Sequence, residues 1–189
     1  MKHCLIVLAM MLTTLSGVTG VMACWKPVVE PDALTFVSIQ AGAPLQGTFH
    51  EFDANICLDI EHPDQPGHIE VSVDTASVDT RLPELDEALK GPDFMGSTQW
   101  PRATFISDSI EPLGDNHYKV RGDFTLRDVT RTIEVPFEYK PSVDGAAPRL
   151  EGNTTIKRLD YQVGQGEWSD TRWVEDEVIL RFSVQLTNS

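Results

Sequence analysis

Alternation of apolar and polar residues is clearest over residues 118–139, YKVRGDFTLRDVTRTIEVPFEY. Tyr118, Val120, Gly122, Phe124 and Leu126 fall on one parity; Lys119, Arg121, Asp123, Thr125 and Arg127 fall on the other. Beyond Asp128 the alternation resumes, with Ile133, Val135, Phe137 and Tyr139 set against Thr132, Glu134, Pro136 and Glu138. Successive side chains of a strand point to opposite faces, so each arm has one apolar and one wet face. Two such arms around a short polar turn predict a β-hairpin with a single buried side. That side carries Phe124, Phe137 and both tyrosines. It suits a packed core or the wall of an apolar cavity.

The same pattern recurs along the chain. Residues 25–28 start a strand, Pro31-Asp32 make a turn, and 34–39 (LTFVSI) form a strand with Leu34 and Phe36 on one parity. A loop is expected over 41–44. Residues 47–60 read as one long strand, with Phe52, Ala54, Ile56 and Leu58 alternating against Asp53, Asn55, Cys57 and Asp59. Phe49 has the other parity, which predicts a bulge or bend near His50. After a turn at 63–67, Ile69, Val71 and Val73 mark another strand, and 76–80 continue as extended chain. The period then changes. Leu82, Leu85, Ala88 and Leu89 follow helical spacing, with Pro83 in the first turn and Gly91-Pro92 as the stop. Strands follow at 103–110 and, with a poor pattern, at 150–159. Turns or loops are expected at 114–116, 142–148 and, rich in Gly and Trp, 161–173. Val178, Leu180, Phe182, Val184 and Leu186 close the chain as a clean strand.

About eight strands and one short helix predict an all-β fold, a closed antiparallel barrel or a sandwich. Several strands run long, and closure removes their exposed edges, which favours the eight-stranded barrel. Eight strands is also the size whose interior either fills with side chains or holds one small ligand. No linker or repeat divides the chain after its leader.

The leader changes the picture of where the chain works. After Lys2, residues 4–15 (CLIVLAMMLTTL) are apolar but too short to span a bilayer, which takes about 20 residues. Residues 16–23 are small, with Val21 and Ala23 at the −3 and −1 positions of a signal-peptidase site. A buried N-terminal helix is disfavoured by Gly17 and Gly20. Residues 1–23 therefore read as a signal peptide, 24–189 as the domain, and the periplasm as the destination. Cys4 leaves with the leader, so Cys24 and Cys57 remain. In an exported chain they read as one disulfide; the alternatives are free thiols or a lipidated Cys24 behind the imperfect lipobox Val21-Met22-Ala23-Cys24. The formal net charge is −14, one unit more negative without Lys2. Such a balance, without any basic cluster, argues against binding nucleic acid or anionic lipid surfaces.

From about Trp25 to the C-terminus the chain resembles the YceI-like polyisoprenoid-binding family. The pieces that carry the likeness are Leu34-Thr35-Phe36-Val37-Ser38; Gly47 with Phe49 and Phe52-Asp53; and Ala76-Ser77-Val78-Asp79-Thr80. They continue with Asp86-Glu87-Ala88-Leu89-Lys90, Asp93-Phe94, and Pro101 with Thr104-Phe105 and Ser107. The hairpin from Leu126 to Pro136, Gly164-Gln165-Gly166-Glu167-Trp168, and Thr171 with Trp173 complete the set. Three departures stand out: Arg81 is followed by Leu82-Pro83 rather than Asp, Met95-Gly96 replace an aromatic and an Asp, and Asp128 replaces the hairpin glycine. Aspartate tolerates left-handed backbone better than most residues. The resemblance implies a lipocalin-like barrel around a prenyl-type chain, with no cofactor beyond a bound isoprenoid quinone or polyprenyl lipid.

On that basis the strand phenylalanines Phe36, Phe52, Phe105, Phe124, Phe137 and Phe182 are candidate ligand contacts. The helix over 82–90 and the Phe94-Met95 turn are candidates for the wall near the mouth, and Trp168 and Trp173 for closing one end. The expected partner is an isoprenoid or other lipid-like small molecule, and a quinone carrier would meet an inner-membrane redox protein. The negative charge favours a neutral quinone over a pyrophosphate. The competing reading is a ligand-free envelope or stress module on the same barrel. Catalysis has little support. His50 is the one histidine near a pocket, His62, His68 and His117 belong to turns, and no G-x-S-x-G frames a serine. His62, Asp64 and His68 fit no zinc spacing, and Asp74, Asp79, Asp86 and Glu87 fit no calcium loop.

Overall fold

The computed structural model describes residues 23–60, 62 and 67–188. Residues 1–22 of the leader and residues 63–66 of the expected turn, with Asp64, lie outside the described residues. The elements in chain order are β1 (Ala23–Val28), β2 (Leu34–Gln40), β3 (Ala43–Phe49), β4 (Phe52–Leu58), β5 (His68–Asp74) and β6 (Val78–Asp79). Then come α1 (Pro83–Lys90), β7 (Arg102–Gly114), β8 (His117–Leu126), β9 (Val129–Lys140), β10 (Arg149–Lys157) and β11 (Glu177–Asn188). Short 3-10 turns occupy Thr75–Ser77, Arg158–Tyr161 and Gly166–Ser169. The first of these interrupts what the sequence reads as extended chain, because Asp74 caps it by accepting from Ala76 N at 2.8 Å.

Eight strands, in the order β1-β4-β5-β7-β8-β9-β10-β11, form a closed antiparallel barrel, and β11 returns to β1 to seal it. A second tier sits on one end. β11 pairs with β1 through Gln185–Asn188 and with β2 through Ile179–Phe182, and β2 leads on to β3 and β6. The two tiers meet at corners in the chain. Asp32, with φ 61°, turns β1 into β2, and His50-Glu51 separate β3 from β4 at the expected bend. β3 begins at Ala43, earlier than alternation alone indicates, because Ala41 and Gly42 suffice for the turn, both at positive φ.

The hairpin of β8 and β9 forms in the expected register, Tyr118 opposite Phe137, Val120 opposite Val135 and Leu126 opposite Val129. Its left-handed residue is Arg127 (φ 59°), not Asp128. A left-handed arginine costs about 1–2 kcal/mol. Here its guanidinium stacks 4.3 Å from the Trp100 ring, and one nitrogen donates to the Pro92, Phe94 and Gln162 carbonyls at 2.5–3.0 Å. Those contacts offset the strain and tie the hairpin tip to the segment after α1.

β9 and β10 pair only from Lys140–Arg149 to Phe137–Gly152. The next residue, Pro136, has no N–H to extend the ladder. Beyond it the strands diverge, and the Thr154 hydroxyl donates to Glu134 O at 3.1 Å across the gap. Gly152 is required at the branch, since a Cβ there would lie 2.5 Å from Pro136 O and 2.6 Å from Phe182 Cζ.

The lower tier is filled. Trp25, Ile56, Leu58, Tyr118, Leu150 and Leu186 form its buried floor. On the outside of that floor Cys24 and Cys57 stand directly opposite on β1 and β4, their sulfurs 2.04 Å apart. A crosslink over a separation of 33 residues stabilises by about 3–4 kcal/mol in the chain-entropy description. Replacing both cysteines by serine should lower the urea midpoint by that free energy, and reductant should then have no further effect. Equal midpoints for the two forms would show that the bond is absent or idle.

Candidate functional site

The upper tier is hollow. A cavity of about 280 Å³ runs from the floor to the underside of α1. Phe36, Phe52, Phe105, Phe124, Phe137 and Phe182 all line it, each from a different strand, and Phe94 joins them from the segment after α1. Alternation explains the convergence, since each occupies the inward parity of its strand. Phe49, which the sequence reading did not name as a contact, also lines it. The break at His50-Glu51 resets the parity, so Leu45, Gly47 and Phe49 form the inner face of β3. A Cβ on Gly47 would lie 2.4 Å from the Phe36 ring, so the glycine makes room for that phenylalanine.

Two predicted contacts are not in the wall. Trp168 sits one layer behind it, its ring centroid 5.6 Å from that of Phe94. Trp173 is 61% exposed; its backbone, rather than its ring, does the closing, by accepting from Ala41 N at 2.7 Å.

α1 forms the roof over part of the cavity. Pro83 opens it and Gly91 caps it, with Gly91 N donating to Ala88 O. Its apolar face presents Leu85 and Leu89 to the cavity, yet none of its residues is buried. Asp86 anchors the helix to the strand before it, accepting from Thr80 N at 2.7 Å and from Thr80 Oγ1 at 2.6 Å. Met95, buried beside Phe36 and Val78, continues the wall.

The loop between β10 and β11 closes the remaining side, and Arg158 organises it. This buried arginine donates from Nε to Glu175 O, from Nη1 to Val163 and Gly164 O, and from Nη2 to Trp168 and Val174 O, at 2.7–3.3 Å. Burial pushes its pKa down, and the field of Asp176 opposes that shift. No periodicity marks a residue of this kind, so sequence patterning passes over it. The loop is bonded in turn to the segment after α1, with Gly164 N and Gln165 N both donating to Asp93 O.

The polar candidates stand elsewhere. His50 Nε2 lies 3.0 Å from Asp79 Oδ2 on the exposed surface, and that contact holds the Asp79 carboxyl below the usual range. His62 contacts Asp59, and His68 lies 3.9 Å from Glu70. Asp74, Asp79 and Asp86 accept backbone N–H groups, and Glu87 pairs with Lys90. Among the described residues no three His, Cys, Asp or Glu side chains converge as a metal site.

The sequence and the fold of this barrel have known counterparts. The YceI-like domain model matches residues 28–186. The chain belongs to the YceI-like family. Protein YceI of Shigella flexneri is 38% identical over 145 residues, 75% of this chain and 73% of that protein. A UPF0312 protein of Ectopseudomonas mendocina (strain ymp) is 32% identical over 123 residues, and the match spans 63% of this chain and 64% of that protein. Among solved structures, Burkholderia cenocepacia BcnA superposes with a TM-score of 0.76 at 33% identity, covering 82% of this chain and 95% of BcnA. A polyisoprenoid binding domain from Saccharophagus degradans shares the fold at 14% identity, with a TM-score of 0.64 over 89% of this chain and 99% of that one.

In this YceI-like barrel Tyr161 seals the gap beside β9. It is 2% exposed and meets Phe124 edge-on at 5.2 Å. Burial, with the field of Asp160, pushes its phenol up to about 12, with Arg131 opposing. The folded state thus holds a proton that the unfolded chain releases near the ordinary value of 10.0. That stability is complete below pH 10 and is lost as pH rises towards 12. Tyr161→Phe should remove the latest step in the absorbance titration of tyrosine and reduce the alkaline loss of stability over that interval. An unchanged titration would place this ionisation on another group.

Proposed function

We propose that the protein is a periplasmic binding protein for an isoprenoid or other lipid-like molecule, held tail-inward in the cavity, and not an enzyme. The observation that carries this is the largely apolar, phenylalanine-rich wall between the packed floor and α1. Apolar walls with few polar groups are the usual make-up of small-molecule sites. The shared fold of a solved polyisoprenoid binding domain supports the ligand class. The acidic balance of the chain favours a neutral quinone over a polyprenyl phosphate, and a quinone carrier exchanges its cargo with an inner-membrane redox protein. The packed floor speaks for the second reading, a ligand-free envelope module. On the binding reading, that floor instead sets a limit on tail length.

A titration with quinones of increasing tail length tests the reading. Each methylene taken up should add about 0.8 kcal/mol, until the floor is reached and affinity levels off. Affinity indifferent to tail length would leave the ligand-free module.

The leader pattern supports export. On this reading the intact mass of native protein should be that of a chain starting at Cys24, free of acyl groups and two protons lighter than the dithiol. A triacylated Cys24 would make it a membrane-anchored lipoprotein, since a sulfur bound to Cys57 has no valence for a thioether.

A further inference from the structure

Most polar residues of the wall are threonines spread around the barrel; Ser38 and Gln40 stand together at one end of β2. Ser38 lines the cavity at 8% exposure, and its hydroxyl bonds no other described residue. Two residues further along the same face, Gln40 also lines the cavity, and its carboxamide has no partner among the described residues. Buried polar groups are rarely left unmatched, because the lost hydration is costly. Ser38 is buried and Gln40 partly buried, so an apolar side chain would avoid that cost fully at the first position and in part at the second if the cavity only had to hold a hydrocarbon.

Charge at this end is already committed. Among the described residues Arg158 is the single charged residue of the wall, and all its nitrogens donate to backbone carbonyls. Those carbonyls belong to the segment that borders Gln40: Gln40 bridges Val174, and Glu175 N donates to Ile39 O at 2.9 Å. Asp176, which accepts from Leu159 N at 3.0 Å, offsets the guanidinium charge. On the roof, α1 sets Glu84, Asp86 and Glu87 against Lys90 alone. A phosphate placed here would meet neutral donors, with no uncommitted cation among the described residues of the wall to replace its hydration.

We propose that Ser38 and Gln40 form a headgroup subsite for a neutral group bearing a carbonyl or hydroxyl oxygen, and that this subsite discriminates against phosphate esters. Ser38 donates to the ligand oxygen. Gln40 donates through its amide nitrogen and accepts a ligand hydroxyl through its carbonyl. The inference rests on the lipid-binding reading above and adds which headgroup the cavity takes and what holds it.

Two matched ligand pairs test it: decylubiquinone against decylbenzene, and geranylgeraniol against geranylgeranyl diphosphate. Decylubiquinone should bind the wild-type protein about tenfold more tightly than decylbenzene, as one or two net hydrogen bonds allow. Geranylgeraniol should bind more tightly than its diphosphate. Ser38→Ala and the near-isosteric Gln40→Met should each reduce decylubiquinone affinity several-fold while leaving decylbenzene unchanged. Retained decylbenzene binding also reports that the barrel is folded. The subsite is overturned if the variants leave the quinone preference intact, if they weaken decylbenzene equally, or if the diphosphate outbinds the alcohol. In those cases the cavity still binds an apolar tail. If neither decylubiquinone nor decylbenzene binds the wild-type protein, the lipid-binding reading falls as well.

Discussion

The architecture turns on the requirement that every backbone edge be paired, and on β11 being long enough to meet it twice. Over its last residues β11 completes the ring with β1; over its first half it pairs with β2 instead. The ring therefore closes fully only at the floor. Above it, the order β11-β2-β3-β6 ends on a two-residue strand, and the edge of β6 is attended by α1. Full closure concentrates inward side chains into a solid core. The incomplete tier spaces the strands and leaves the hollow. Pro136 adds to this from the other side by ending the β9–β10 ladder where the cavity begins.

Where ladders stop, arginines take over. Loop carbonyls inside a barrel need donors as much as strand carbonyls do. Arg158 supplies them for the loop before β11, and Arg127 for the segment after α1. Both act as fixed forks aimed at carbonyls, a role the compact lysine ammonium fills poorly. Arg158 holds the side loop, while Arg127 bonds both the segment after α1 and, through Gln162 O, that loop; the Asp93 carbonyl joins the same two segments.

Much of this was legible in the residues. The hairpin register, the bend near His50, the helix bounds and the six strand phenylalanines named for the wall follow from periods of two and 3.6, because one face of each element had to be apolar. The YceI-like resemblance pointed to the barrel and to a long cavity. Other features were not legible. The parity of Phe49 marked the bend, but its place in the wall was not named, because the direction a chain takes after a corner depends on distant strands. Ser38 and Gln40 share the parity of Phe36, so their inward direction was written in the pattern, but polarity at an inward position reads as noise until the neighbouring charges are known. Arg127 and Arg158 act through main-chain carbonyls, which have no sequence signature. The Trp-rich loop suggested a stacking lid; in the structure Trp168 lies behind Phe94, and Trp173 is largely exposed.

The roof is the least secured part of the enclosure, and the reason is energetic. α1 has no buried residue; Leu85 and Leu89 both face the cavity, and only Leu89 also packs against the cluster of Phe36, Val78 and Met95. Isolated helices of this length are not stable in water, so α1 persists through its Pro83 start, the Asp86–Thr80 bonds and the Lys90–Glu87 pair. An apolar occupant adds dispersion contacts to Leu85 and Leu89 that the empty barrel lacks. The floor is indifferent to occupancy because its contacts are already made. Filling the cavity therefore stabilises the roof more than any other element, and affinity and closure of the roof depend on the same two leucines.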